Sequence, residues 1–189
     1  MKVVRGLIQG RKREKSLARL ILGWLFFVFM MIVILFLVMH IARHQTRVIG
    51  SSMFPAIEDG DSIVLDRISY RFFSPRRFDV IAFPSQYQDG VDYVKRIIGL
   101  PGETLQIMDG RVYINGSLLK ERFDYEPMSS GGIAQAQIVL GEDEYFVLGD
   151  NRNESTDSRD PTIGNIHRLD IIGRAWLRTQ PFTRFGLIR

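Results

Sequence analysis

Three short stretches of this sequence concentrate residues able to do chemistry. The first is Gly50-Ser51-Ser52-Met53-Phe54-Pro55. A Gly-to-Pro bend with two serines sets a hydroxyl at a surface, as a nucleophile or as an ordinary solvated turn former. The second is Tyr93-Val94-Lys95-Arg96-Ile97-Ile98-Gly99-Leu100-Pro101-Gly102-Glu103. Alternation along a strand puts Tyr93, Lys95 and Ile97 on one face and Val94, Arg96 and Ile98 on the other. A lysine between an aromatic and a β-branched neighbour loses hydration, so its pKa falls below the usual value of about 10.4 and the neutral amine becomes a general base. The competing reading is a lysine whose stem packs while its ammonium reaches water. The third stretch is Gly149-Asp150-Asn151-Arg152-Asn153-Glu154-Ser155-Thr156-Asp157-Ser158-Arg159. Such a set braces itself through hydrogen bonds and ion pairs, or forms a solvated loop, or binds calcium. The Asp150-x-Arg152 spacing is not that of an EF-hand, and arginines at two positions oppose a cation.

Other chemistries find no support in composition. The 189 residues include no cysteine, which removes a thiol nucleophile, a Cys-ligated zinc site and a disulfide scaffold. The three histidines are His40, His44 and His167. His40 and His44 are four apart at the end of an apolar run, without a matching carboxylate, and read as interfacial and structural. No Ser-His-Asp grouping presents itself, so a serine nucleophile here would take a lysine as its base. No metal or cofactor is expected, and chelators should have no effect.

These residues must be positioned by a body of about 145 residues whose apolar pattern is that of short strands. The runs are Asp61–Asp66, Phe78–Phe83, Val91–Ile98, Thr104–Met108, Arg111–Ile114, Glu144–Leu148 and Ile171–Arg178. Asp109-Gly110 and Asn115-Gly116 are type I′ hairpin signals. Ser129-Ser130-Gly131-Gly132 reads as a flexible surface loop. The expected fold is mostly β, an antiparallel sheet or barrel-like domain.

Ahead of the body, Leu20–Met39 runs for 20 residues without a charge. As a helix it spans about 30 Å, the hydrocarbon thickness of a bilayer. It is too long for the core of a cleaved leader, and Met39-His40-Ile41-Ala42-Arg43 is a poor cleavage site. The reading is a single transmembrane anchor, with Trp24 and His40 near its interfaces. Residues 1–19 hold seven bases and one acid, a charge of +6, while the remaining 18 bases and 20 acids give −2. The pI near 9.6 therefore reflects a basic tail, not a nucleic-acid surface. The positive-inside rule puts that tail in the cytoplasm and the body across the membrane. The expected organisation is a cytoplasmic tail over 1–19, a membrane helix over 20–41 and an extracytoplasmic domain over 42–189.

Taken together, the three clusters resemble the motif boxes of type I signal peptidases, membrane-bound serine peptidases with a Ser-Lys dyad. Ser52-Met53-Phe54-Pro55 matches the family's Ser-Met-x-Pro box, Tyr93–Gly102 its lysine box, and Gly149–Arg159 its Gly-Asp-Asn-Arg box. Gly60-Asp61-Ser62-Ile63-Val64 is similar to an intervening Gly-Asp-hydrophobic box. The resemblance runs from about Val48 to Trp176. It implies Ser52 as nucleophile, Lys95 as general base, Ser155 as the serine orienting the lysine, Asp150 with Arg96 as an ion pair, and Asp157 with Arg159 as further bracing. It implies Tyr93, with Met53 beside the nucleophile, lining a shallow substrate pocket. Met53 and Phe54 are also candidates for lipid contact.

There are departures from the family pattern. Ala56-Ile57 stands where Thr-Leu is common, and Arg77-Phe78-Asp79 where Arg-Gly-Asp is frequent. Gly50 occupies a position where some relatives carry a serine that helps the oxyanion hole, so the hole must lean on backbone donors, chiefly the Ser52 N–H. The implied function is removal of signal peptides from exported preproteins after Ala-x-Ala-like sites, at the bilayer and without nucleic acid. The oligomeric state is not readable. Rivals are a pilus or conjugation processing peptidase of the same family, a self-cleaving repressor, which the anchor opposes, and a membrane-tethered, non-catalytic β binding module.

Overall fold

The computed structural model describes residues 19–37, 45–85, 91–121, 123 and 125–188. The chain divides into two units, Met1–Arg43 and His44–Arg189. Residues 1–18 of the basic tail, His40, His44 and the expected boundary at 41/42 lie outside the described residues.

In the first unit, helix α1 (Arg19–Leu37) is 19 residues long and apolar enough to cross a membrane. Its length is about 28 Å at 1.5 Å per residue. Leu, Phe, Ile and Met side chains are exposed all round it, from Leu20 to Leu37. An all-round apolar surface of this kind suits lipid, not water.

Among the described residues the second unit has twelve strands: β1 (Gln45–Arg47), β2 (Ser62–Asp66), β3 (Val80–Pro84), β4 (Asp92–Gly99), β5 (Thr104–Met108), β6 (Arg111–Ile114), β7 (Ser117–Leu118), β8 (Ile138–Val139), β9 (Glu144–Leu148), β10 (Ile166–His167), β11 (Gly173–Gln180) and β12 (Gly186–Leu187). Every pairing is antiparallel. The larger sheet runs β1-β2-β11-β3-β4-β9-β10 with β12 alongside β11, and the smaller runs β7-β6-β5-β8.

Period-two alternation assigns side chains to three cores. From β3, Val80 and Ala82 join a cluster with Val48, Met53, Ile57, Ile63 and Leu65. Ile81 and Phe83 face the other way, onto Ile97, Tyr145 and Val147. From β9, Phe146 and Leu148 join Ile98, Leu105, Ile107 and Val112 under the smaller sheet. Strands β3, β4 and β9 are thus buried on both faces, which is why they read as near-continuous apolar runs. Lys95 and Arg96 interrupt such a run in β4 and are buried with it.

Both hairpin signals form type I′ geometry. Asp109 and Gly110 have φ of 50° and 71°, and Asn115 and Gly116 have φ of 50° and 75°. At Gly110 an added Cβ would also lie 2.8 Å from the backbone N and O of Met128. Gly110→Ala should therefore destabilise the fold by about 1–2 kcal/mol or more, read as a lower urea midpoint with the m-value unchanged.

Candidate active site

The loop that carries Ser52, between Val48 and Asp61, is closed on itself before it meets any other element. Val48 N–H donates to Asp61 O (2.8 Å), Gly60 N–H to Val48 O (2.9 Å) and Ile57 N–H to Met53 O (2.9 Å). One turn apart, Met53 and Ile57 are driven into the first core at 1% and 0% exposure. This corrects the expectation for Met53: it is a core anchor, with no open surface for lipid or substrate, while Phe54 beside it is half exposed. Asp61, fully buried, accepts from Glu58 N–H (2.9 Å) and Arg184 Nη2 (2.7 Å). Arg178 Nη1 donates to Ala56 O (2.9 Å). The C-terminal segment thus clamps the loop through two arginines outside the motif boxes.

Gly50 takes φ +97°, a left-handed conformation that glycine tolerates and serine does not. Its N–H is committed to Asp59 Oδ1 (2.8 Å). Gly50 therefore shapes the loop and donates nothing to an oxyanion. The Ser52 N–H, by contrast, has no hydrogen-bond acceptor among the described residues.

Lys95 Nζ lies 2.6 Å from Ser52 Oγ. Lys95 is 3% exposed, and its Nζ sits 5.7 Å from the Tyr93 ring centroid. Desolvation lowers its pKa from 10.5 to about 8. Asp157 and Asp150 push the other way, and Arg159 adds to the lowering. The alternation expected for the strand holds: Tyr93 and Ile97 pack in one core while Val94 belongs to another.

Arg96, on the next position, turns its guanidinium onto Asp150 through two hydrogen bonds of 2.7 and 2.6 Å, with both side chains 2% exposed. Burial opposes charge on Arg96, but the Asp150 carboxylate more than offsets it and the pKa is raised. The third guanidinium nitrogen donates to Phe78 O (2.9 Å). Phe78 adopts φ +73° where the sequence departs from Arg-Gly-Asp. Left-handed backbone at a non-glycine residue costs about 1–2 kcal/mol, and the Phe78 ring packs against the second core.

The loop after β9 is the brace for this pair. Asp157 accepts from Gly149 N–H (3.0 Å) and from Arg159 Nε (2.8 Å). Asn151 N–H donates to Ser52 O (3.0 Å), and its amide donates to Ser51 O (3.3 Å). Gly149 has no room for a side chain: a Cβ would stand 2.2 Å from Ser155 Oγ and 2.5 Å from Ser52 O. Ser155 Oγ is itself buried with no hydrogen-bond partner among the described residues, so it makes no bond to Lys95 in this structure. Ser129, Ser130 and Gly132 are exposed, as expected of a surface loop, and the segment is tied to its neighbours. Ile133 N–H donates to Arg159 O (2.9 Å), Ser129 N–H to Asn153 Oδ1 (2.9 Å), and Gly132 leaves space for Arg159 O.

Sequence reasoning did not find Asp61's two arginines, Glu121 opposite Arg152, or the stack of Arg152 on Tyr125 (3.9 Å). No group of three or more acidic, His or Cys side chains able to hold a metal occurs among the described residues.

The comparisons with known proteins agree with the motif resemblance. The family model "Signal peptidase, peptidase S26" matches residues 21–179. A signal peptidase I from Leptolyngbya laminosa is 40% identical over 144 residues, covering 72% of this chain and 68% of the relative. Signal peptidase IB of Staphylococcus aureus is 30% identical over 180 residues, covering 87% and 92%. A probable signal peptidase I-2 from Synechocystis is 35% identical over 146 residues; the match takes in 74% of this chain and 64% of that relative. A crystal structure of a signal peptidase I from Enterococcus faecalis aligns at 37% identity with TM-score 0.42, covering 54% of this chain and 97% of that one. The chain belongs to the signal peptidase family, peptidase S26, and to its type I branch of serine endopeptidases that remove signal peptides.

Two consequences follow from the geometry. Gly149→Ala should abolish cleavage, because Ser52 O and Ser155 cannot both yield to the new methyl. Lys95→Met should be more stable at pH 7. The folded pKa of Lys95 lies below the unfolded one, so burial costs stability below pH 8 and the cost disappears as pH rises from about 8 to above 10.5. The gain, on the order of 3 kcal/mol at pH 7, should vanish in urea midpoints measured near pH 11.

Proposed function

We propose that Ser52 and Lys95 form the catalytic dyad of this peptidase, with the chain acting on signal-peptide-bearing preproteins after small residues of Ala-x-Ala type. The observation that carries this reading is the 2.6 Å approach of Lys95 Nζ to Ser52 Oγ, made by a lysine 3% exposed. Neutral Lys95 accepts the Ser52 proton as Oγ attacks the scissile carbonyl. The new C–O bond leaves charge on the carbonyl oxygen, which the free Ser52 N–H stabilises. Collapse expels the amine, which takes the proton from Lys95, and water then hydrolyses the acyl-serine by the same route. Ser155, whose buried hydroxyl has no hydrogen-bond partner among the described residues, is assigned to orient Lys95 when it carries the proton. Tyr93 is assigned to the pocket wall beside Lys95. Asp150 with Arg96 and Asp157 with Arg159 hold the frame.

The reading places residues 20–41 in the cell membrane as a single span, with the basic N-terminus in the cytoplasm and residues 42–189 outside it. The excess of Lys and Arg before the span supports this orientation.

Ser52→Ala and Lys95→Ala should each abolish preprotein cleavage in detergent while the fold is kept. Cleavage surviving in either variant removes the dyad, whereas absence of cleavage by the unaltered chain would leave the non-catalytic binding module. Because the base is a lysine titrating near 8, kcat/KM should rise through pH 8 to a plateau. A rate flat from pH 5 to 10 contradicts it.

A further inference from the structure

The segment after β7 crosses the Gly149–Asn153 turn and touches it at several points. The Glu121 carboxylate accepts from both terminal nitrogens of Arg152, one at 3.1 Å. The Tyr125 ring stacks on the Arg152 guanidinium at 3.9 Å, and its hydroxyl donates to Asp150 Oδ1 (3.3 Å). Pro127 O accepts from the Asn153 amide (3.3 Å). Burial and the charge of Asp150 push the Tyr125 hydroxyl up to about 12, so it remains a donor at any working pH.

Arg152 is 4% exposed, and among the described residues Glu121 is its one carboxylate partner. Held there, Arg152 Nε donates back to Gly149 O (3.2 Å), which closes the turn. That turn is what reaches the nucleophile, through Asn151 N–H on Ser52 O and through the close approach of Gly149. A cavity of about 480 Å³, lined in part by Glu121, Tyr125 and Arg152, lies beside the pair. An Arg152 released from Glu121 has that space to swing into, and Gly149 O then loses its donor.

We propose that Glu121 is a positioning residue for the Ser52–Lys95 pair, holding Arg152 against Gly149 O so that the Gly149–Asn151 turn fixes the Ser52 backbone and shields Lys95 from water. This rests on Ser52 and Lys95 being the dyad. The groups facing Lys95 are Tyr93 on its own strand, Ser52 on the nucleophile loop, and Asp150, Asp157 and Arg159 on the loop after β9. Glu121→Gln changes none of them. Loss of the Glu121 charge through space would lower the Lys95 pKa, whereas entry of water would raise it, so the sign of the shift separates the two effects.

The test uses the full chain in detergent, cleaving a preprotein across pH 6 to 10, with Glu121→Gln, Arg152→Gln, the double variant and Ser52→Ala. The expected result at pH 7 is a fall in kcat of ~10- to 100-fold with KM little changed. The acidic limb of kcat/KM should move above 8, and the double variant should be no worse than either single one. An unmoved or lowered limb, or a kcat loss that only tracks a fall in thermal midpoint, overturns the proposal. So does additivity of the two single changes. Cleavage retained by Ser52→Ala would instead overturn the dyad, a different failure from an active, Ser52-dependent enzyme indifferent to Glu121.

Discussion

The structure depends on keeping one ammonium group out of water. Lys95 sits in the middle of a strand buried on both faces, and its pKa falls from 10.5 to about 8 because of that burial. At about 1.4 kcal/mol per pH unit, the fold is less stable at neutral pH by ~3 kcal/mol than if the site were apolar. Against a net stability of about 5–15 kcal/mol for a typical domain, that is a large concession. It supplies an amine that is partly neutral where a water-exposed lysine is almost wholly charged. Asp157 and Asp150 act against the lowering and Arg159 with it.

The same demand explains the surrounding charge. Carboxylates near Lys95 would restore its proton if left free, so each is tied to an arginine: Asp150 to Arg96, Asp157 to Arg159. Buried pairs of this kind are costly to break, since removing one partner strands the other, at about 3–5 kcal/mol. They add little net stability over apolar packing, and their role here is geometric. Through Gly149 and Asn151 the braced loop bears on the backbone of Ser52, and through Asp61, Arg178 and Arg184 the C-terminal segment bears on the opposite stretch of the same loop. Ser52 is held from both ends of its loop by residues distant in sequence.

Much of this was legible from local pattern. Thr104–Met108, Arg111–Ile114 and Glu144–Leu148 form strands with the limits read from sequence, because hairpin turns and short apolar runs are encoded locally. The Lys95 face followed from strand alternation. Strands β7, β8, β10 and β12 were not legible: two residues carry no period, and these strands exist only through their partners. Met53 was misread because its neighbour Ser52 drew attention, although an apolar pair at 53 and 57 in a turn is the mark of a buried face. Ser129–Gly132 read as flexible, yet Gly132 serves close approach to Arg159 and Gly131 to Ile107. Glu121 lies 31 residues from Arg152 with no local signal joining them. Phe78 in a left-handed conformation was foreshadowed only by a departure from a glycine pattern.

The central claim is that burial holds Lys95 near neutrality. The chain has five lysines, of which Lys95 and Lys120 belong to the β domain, so titration of isotope-labelled lysine side-chain resonances by NMR resolves the site cleanly. The account predicts that one β-domain lysine resonance, lost in Lys95→Met, titrates near 8. A Lys95 resonance titrating near 10.5 would contradict it.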